Sequence, residues 1–409
     1  MAVFCGIDWA ERHHDVALID ETGQLVARRR IKESAEGLSE LTEMLAAAGD
    51  QAEAPIPVAI ETPRGLLVAA LRATGRPVYA INPMAVARYR DRHTTSRGKS
   101  DRADAVVLAN ILRTDAHVHR ALPADTPLAR AIAVLARAHQ DATWRRTMTL
   151  QELRAVLREY YPGFLQAFGT NTTNLASADA RAILAIAPTP AAAAALSRTQ
   201  ITAALRRGGR QRRTDATATR IQHTLRQPQL RHDPLVEDAM GIQALALLAL
   251  LDTASLNVER LGEATARAFR EHPDHAIITS FPGLADITGA RILAEIGDSR
   301  ARFADARDLK AYAGSAPITR ASGRTTTITR RRIKNNRLAA TGFIWAFMAI
   351  TNSPAARAHY DRRRAAGDRH AAALRHLFNR YLGQLHRCLA TGQAYDNTKA
   401  FRQPIPEAA

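Results

Sequence analysis

Four carboxylates offer the most chemistry in this chain. Asp8 stands in "GIDWA", Glu61 in "IETPRG", and Asp101 and Asp104 in "KSDRADAVVLA". On a helix, residues three apart are neighbours on one face, with Cβ atoms roughly 5–6 Å apart. Two carboxylates about 4 Å apart repel by roughly 4 kcal/mol at an effective dielectric of 20, so four acids brought together need cations. An all-oxygen donor set without His or Cys suits Mg²⁺ or Mn²⁺. Two such ions about 3.5–4 Å apart can stabilise the attacking and the leaving oxygens of a phosphodiester. Arg97, Lys99 and Arg102 surround the two aspartates, where they can hold a nucleic-acid backbone. Taken singly, Asp101 reads as a helix cap after Ser100, Glu61 as a residue preceding a helix, and Asp104 as a solvated charge. The signal is in the set.

These acids can meet only if the elements carrying them are adjacent. "AVFCGIDWA", "HDVALID" and "QLVARRRI" read as three antiparallel strands in a meander. An amphipathic helix follows in "SAEGLSELTEMLAAAG", then a strand in "PIPVAIET", a helix in "GLLVAALRATG" and a strand in "RPVYAINP", with helices beyond. The order β-β-β-α-β-α-β predicts an α/β, RNase H-like domain over 1–125; a doubly wound Rossmann domain would lack the opening meander. There the first and fourth strands lie side by side and a later helix, bearing Asp101 and Asp104, packs on them. Residues 126–275 carry helical periodicity with almost no strand signal and predict a helical, coiled-coil-type middle region. Its alanine-rich stretch with basic clusters reads either as helices facing a polyanion or as a solvated spacer. The run beginning "EDAMGIQALALLALL" reads as a coiled-coil arm or an oligomer contact. A mainly α C-terminal domain is expected over 276–395, followed by a tail, 396–409.

The 409 residues hold 57 Lys+Arg against 39 Asp+Glu, a net charge of +18. That excess favours a polyanionic partner. No run of about eighteen apolar residues or signal-peptide pattern argues for a membrane, and a cytoplasmic location is expected. Cys5 and Cys388 form neither a zinc site nor a disulfide framework. Gly283 in "FPGLADITG" sits in a turn resembling a helix-hairpin-helix, whose amides would contact a phosphate; Ala285 stands where that motif usually has a second glycine. A plain helix–helix turn explains the same residues. Arg320, Arg324, Arg330, Arg331 and Arg332 form a second basic group.

With these motifs in place the chain resembles the insertion-sequence 110 family of DEDD transposases, described as bridge-RNA-guided recombinases. The resemblance rests on "GIDWA", "IETPRG", "INP" and "KSDRADAVVLA", and, in the same order after a helical spacer, on "FPGLADITGARILAEIGD", "RFADARDLKAYAG" and "RRRAAGDRHAAALRHL". It implies a RuvC-like N-terminal domain with Asp8, Glu61, Asp101 and Asp104 as metal ligands, and a C-terminal transposase domain with a serine nucleophile in an "SG" motif, here Ser322 in "PITRASGRT". It further implies strand cleavage through a 5′-phosphoserine link, and a structured non-coding guide RNA pairing with donor and target DNA. The resemblance also implies a homo-oligomer, dimer or tetramer, whose active sites draw their two halves from different subunits. From the residues alone, a serine before Gly323 reads as a turn residue, and Ser315 in "AGSAP" is the competing nucleophile. Rival readings are a RuvC-like metal-dependent, structure-specific nuclease working by water attack, a nucleic-acid-binding protein resting on charge alone, and an actin-like or sugar kinase. The kinase lacks a glycine-rich phosphate loop.

Overall fold

The computed structural model describes residues 2–93, 101–168, 172–323 and 325–401, and of residues 91–93, 101–102 and 172–173 the backbone alone. The chain divides into two compact units, Met1–Ala124 and Asp125–Ala409.

The first unit opens with β1 (Val3–Trp9), β2 (His13–Asp20) and β3 (Leu25–Lys32), an antiparallel meander. The β2–β3 turn is held by Asp20, whose Oδ1 accepts from the Thr22 and Gln24 amides at 2.9 Å each. Helix α1 (Ala35–Ala47) starts at Ser34, whose Oγ accepts from the Gly37 amide at 3.2 Å. Then follow β4 (Val58–Ile60), α2 (Leu66–Ala73), β5 (Val78–Ala80), α3 (Pro83–His93) and α4 (Asp101–Asp115). Sheet order is β3-β2-β1-β4-β5, with β4 parallel to both β1 and β5. This is the RNase H-like order expected from the sequence. Strands β4 and β5 are shorter than the sequence suggests; Pro55 and Pro57 precede β4 and Pro83 closes the segment after β5. The aspartate pair begins the second helix after β5, since α3 intervenes.

Alternation decides which side chains face which layer. Cys5, Ile7, Val16, Leu18, Val58 and Ile60 join one core with Leu41 and Leu45 of α1 and Leu67 and Leu71 of α2. On the opposite face Phe4 and Ala59 pack with Leu108 and Leu112 of α4 and Val86 of α3. Gly6 lies on this second face. A Cβ there would stand 2.0 Å from the Ala105 carbonyl oxygen and 2.4 Å from the Ala109 nitrogen. The missing side chain is what lets α4 rest on β1.

The second unit is built on a pair of long helices, α5 (Pro127–Tyr160) and a later partner. Between them run α6 to α11 (Pro162–Phe168, Thr172–Leu175, Ala178–Ile186, Pro190–Ala195, Arg198–Arg207, Thr214–Leu225), and α12 (Pro234–Arg270) is the partner. The start of α5 and the end of α12 share one core, with Ile132, Ala136 and Phe269. The end of α5 and the middle of α12 share another, with Leu153, Leu157, Leu248 and Leu251. The two helices are therefore antiparallel. The second core also takes in Phe164, Ile183, Ile201, Leu205 and Ile221, so the alanine-rich stretch folds into a compact cluster and is more than a spacer. By length and composition alone α12 is long and apolar enough to cross a membrane; 33% of its most apolar window is buried within the protein. Along its other side Leu235, Ala239, Ile242, Ala246, Ala249, Thr253 and Leu256 are all exposed. Their spacing alternates four and three, the period of a coiled-coil seam.

Beyond lie α13 (His275–Thr279), α14 (Asp286–Ile296), α15 (Ala306–Tyr312), the hairpin β6 (Ile318–Ser322) and β7 (Thr325–Thr329), then α16 (Asn336–Asn352), α17 (Pro354–Ala365), α18 (His370–Thr391) and α19 (Asn397–Ala400). Trp345 anchors this core: it stacks on Tyr381 with centroids 5.1 Å apart, meets Phe281 edge-on at 5.5 Å, and donates from Nε1 to the Pro282 carbonyl at 3.1 Å.

Candidate active site

Asp8 is the second-last residue of β1 and lies on the Gly6 side of the pleat, towards α4. Glu61 directly follows β4. Because Ile7 is in register with Ile60, Asp8 and Glu61 occupy the next rung, at the C-terminal ends of two parallel strands. Both are half-buried. Asp104 is carried by the first turn of α4, one residue before the Ala105 carbonyl that touches Gly6. It is 3% exposed. Arg90 of α3 closes on it, donating from Nε at 2.9 Å and from Nη2 at 2.5 Å to the same oxygen, Oδ1. Asp101 begins α4 one turn earlier; its side chain lies outside the described residues.

One acid escapes sequence reasoning. Asp15 of β2 is directly opposite Asp8 in the antiparallel register, so both side chains stand on the α4 face. It is 3% exposed and is gripped by Arg30 of β3, its own register partner, from Nε to Oδ1 at 3.1 Å and from Nη2 to Oδ2 at 2.6 Å. A row thus runs across the sheet, Arg30, Asp15 and Asp8 on three strands and Glu61 just past the end of β4. The available signal was an aspartate at a buried position of "HHDVALID", where an ionised carboxylate needs a partner.

The donors on this face are carboxylate oxygens, which fit a hard divalent cation. Among the described residues, no three acidic, imidazole or thiol side chains stand close enough together to hold an ion. Asp104 is engaged by Arg90, and the fourth acid, Asp101, is not among the described side chains.

Of the basic residues singled out from the sequence, Arg97, Lys99 and Arg324 lie outside the described residues, as does the side chain of Arg102. Arg320, Arg330, Arg331 and Arg332 line a groove along the hairpin with Ile318, Thr329 and Ile333. Ser322 ends β6 opposite Thr325 and is exposed beside the turn at Gly323, whose φ is +55°. The rival Ser315 is 5% exposed and its Oγ lies 2.9 Å from Asn379 Oδ1, to which it donates. Gly283 has φ +85°, and a Cβ there would meet the Ala349 nitrogen at 2.6 Å and the Trp345 carbonyl oxygen at 2.8 Å. Close packing of this turn on α16 accounts for the glycine without a phosphate.

A family model for the DEDD transposases of IS110, described as "Transposase", matches residues 5–162, and one described as "Transposase IS116/IS110/IS902 family" matches residues 275–361. A Streptomyces coelicolor protein described as a mini-circle putative transposase for IS117 is 58% identical over 409 residues, covering 100% of this chain and 99% of that one. The 42 kDa protein of insertion element IS900 from Mycobacterium paratuberculosis is 28% identical, over 96% of this chain and 97% of the relative. Among solved structures, Thermus thermophilus RuvC in complex with a Holliday junction substrate matches 30% of this chain and all of its own, with 20% identity and a TM-score of 0.24. The chain belongs to the IS110 family of insertion-sequence transposases.

Proposed function

We propose that this transposase cuts and rejoins DNA strands, the DEDD acids of the first unit holding a divalent cation and the Ser322 hydroxyl of the second acting as the nucleophile. The observation that carries the reading is the placement of Asp8 and Glu61 on one rung, beneath the helix turn bearing Asp104. Asp8, Glu61, Asp101 and Asp104 would hold Mg²⁺ or Mn²⁺, which when bound supplies positive charge to a scissile phosphate. Ser322 Oγ attacks phosphorus, the P–O3′ bond breaks, and the serine proton ends on the departing 3′-hydroxyl; a 5′-phosphoserine link remains. Attack by another 3′-hydroxyl reverses these changes and rejoins the strand. The exposure of Ser322 and its arginine-lined hairpin support this role, with Arg320, Arg324, Arg330, Arg331 and Arg332 as phosphate contacts and Arg97, Lys99 and Arg102 as a second group.

Donor and target DNA are the substrates, and a structured non-coding RNA guides their choice; the +18 charge supports binding to both polyanions. The protein works in the bacterial cytoplasm as a homo-oligomer, a dimer or tetramer, for which the exposed seam of α12 offers a contact.

The test is Ser322→Ala in a reaction trapped under denaturing conditions. Wild type should yield DNA attached to the peptide containing Ser322, and the variant should neither cut nor lose DNA binding. Cleavage by Ser322→Ala that leaves only free 5′-phosphate ends would replace this reading by the hydrolytic, RuvC-like nuclease.

A further inference from the structure

Among the described side chains of the four proposed ligands, the most buried, Asp104, already has a cation on it. Asp104 is 3% exposed, and an ionised carboxylate that far from water needs an opposite charge beside it. Arg90 supplies that charge from a neighbouring helix, with both donors on one oxygen. The Asp15–Arg30 pair differs: there the fork spans both carboxylate oxygens, the arrangement of a fixed bidentate pair. Arg90 also stands in a basic stretch, since residues 84–102 contain Arg88, Arg90, Arg92, Arg97, Lys99 and Arg102 against Asp91 and Asp101. A polyanion drawn to that stretch presents phosphates, which a guanidinium binds as readily as a carboxylate.

We propose that Arg90 competes with the divalent cation for Asp104, so that the free protein binds metal weakly and a nucleic-acid phosphate, by taking the guanidinium, tightens it. The inference rests on the metal-site reading above. It makes Arg90 a positioning residue that keeps the acids from gathering an ion before nucleic acid arrives. A guanidinium and a divalent ion repel each other at one carboxylate, and removal of the first must strengthen the second.

The experiment measures Mn²⁺ affinity of the full-length protein by electron paramagnetic resonance of the free ion, with and without a short DNA duplex. Arg90→Gln should bind Mn²⁺ at least about tenfold more tightly than wild type in the absence of DNA. The double variant Arg90→Gln/Asp104→Asn should lose that gain, and duplex DNA should narrow the gap between wild type and Arg90→Gln. A purely structural Arg90 would leave Mn²⁺ affinity unchanged or lower it on substitution. Affinity in Arg90→Gln equal to or weaker than wild type, with binding still abolished in Asp104→Asn, overturns the proposal and leaves the metal site standing. A gap that DNA leaves unchanged overturns the role of the phosphate. Mn²⁺ binding indifferent to both Asp8→Asn and Asp104→Asn removes the metal site itself. If Arg90→Gln does not fold, Arg90→Lys carries the test: its compact ammonium cannot form the fork, so Mn²⁺ should bind several-fold tighter, and wild-type affinity refutes the competition.

Discussion

Replacing Gly6 by alanine should cost the first unit both stability and function. The added methyl would lie 2.0 Å from the Ala105 carbonyl oxygen and 2.4 Å from the Ala109 nitrogen, both backbone atoms of α4. A Cβ atom almost never approaches other atoms closer than 3.0 Å, so α4 must retreat from β1 by about 1 Å. Overpacking a core costs about 1–3 kcal/mol, and backbone that cannot swing aside puts this case near 3 kcal/mol. For a unit of this size that is a fall of roughly 10 °C in melting temperature. The same retreat carries Asp104 away from Asp8 and Glu61, and a displacement of about 1 Å can lower a rate about 10²-fold. Differential scanning calorimetry of the full chain and a strand-exchange assay read the two effects separately. If Gly6→Ala melts within about 2 °C of wild type and exchanges strands at the wild-type rate, then α4 does not owe its position to this close approach and the argument fails.

Substituting Arg330 and Arg332 together by Gln should weaken DNA binding at low salt and flatten the plot of log affinity against log salt by about 0.9 for each phosphate the protein no longer neutralises; an unchanged slope removes the hairpin from the interface. Burial, then the charges of Arg291 and Arg146, lower His139 from 6.5 to about 4. Because the fold disfavours its proton, stability should be full above pH 6.5, fall as the pH drops towards 4, and level off below. His139→Gln should soften that limb in thermal melts, and an identical pH profile would discount the group. On α12, Ile242→Glu together with Leu256→Glu should shift the protein to a smaller assembly in light-scattering chromatography while leaving its melting temperature nearly unchanged, since both side chains are exposed, at 71% and 43%. An assembly of unchanged mass would clear this seam of any part in it.

The first unit was readable because its information is local. Alternation in "VFCGIDW" and "HHDVALID", the turn at Asp20 and the cap at Ser34 each declare an element within a few residues. Asp8, Glu61 and the Asp101–Asp104 pair stood out as acids at element ends. The Arg30 and Arg90 pairings could not be read this way. Arg30 reaches Asp15 through strand register, and Arg90 reaches Asp104 across two helices, so neither spacing carries a local pattern. The cluster between α5 and α12 was obscured for another reason. Alanine satisfies a helix interior and a helix surface alike, so "PAAAAAL" says helix without saying which side is buried. Gly283 was ambiguous for a different reason: a glycine turn between helices has one sequence appearance whether it serves a phosphate or close packing, and the packing on the backbone of α16 could be seen only in the structure.

The antiparallel course of α5 and α12 has a consequence for how this protein can change. The chain leaves the stem at Tyr160 and rejoins it at Pro234, so everything between forms an excursion that starts and finishes at the same end of the stem. Segments of that kind can grow, shrink or be exchanged without altering the path of the chain elsewhere, because both their ends are held at one end of the same helix pair. Variation in length among related proteins should therefore concentrate between these two residues. A short linker replacing residues 162–233 would leave Ile132, Phe269 and Trp345 in their present surroundings, with the stem's newly bared Leu153, Leu157, Leu248 and Leu251 to be made polar in the same design.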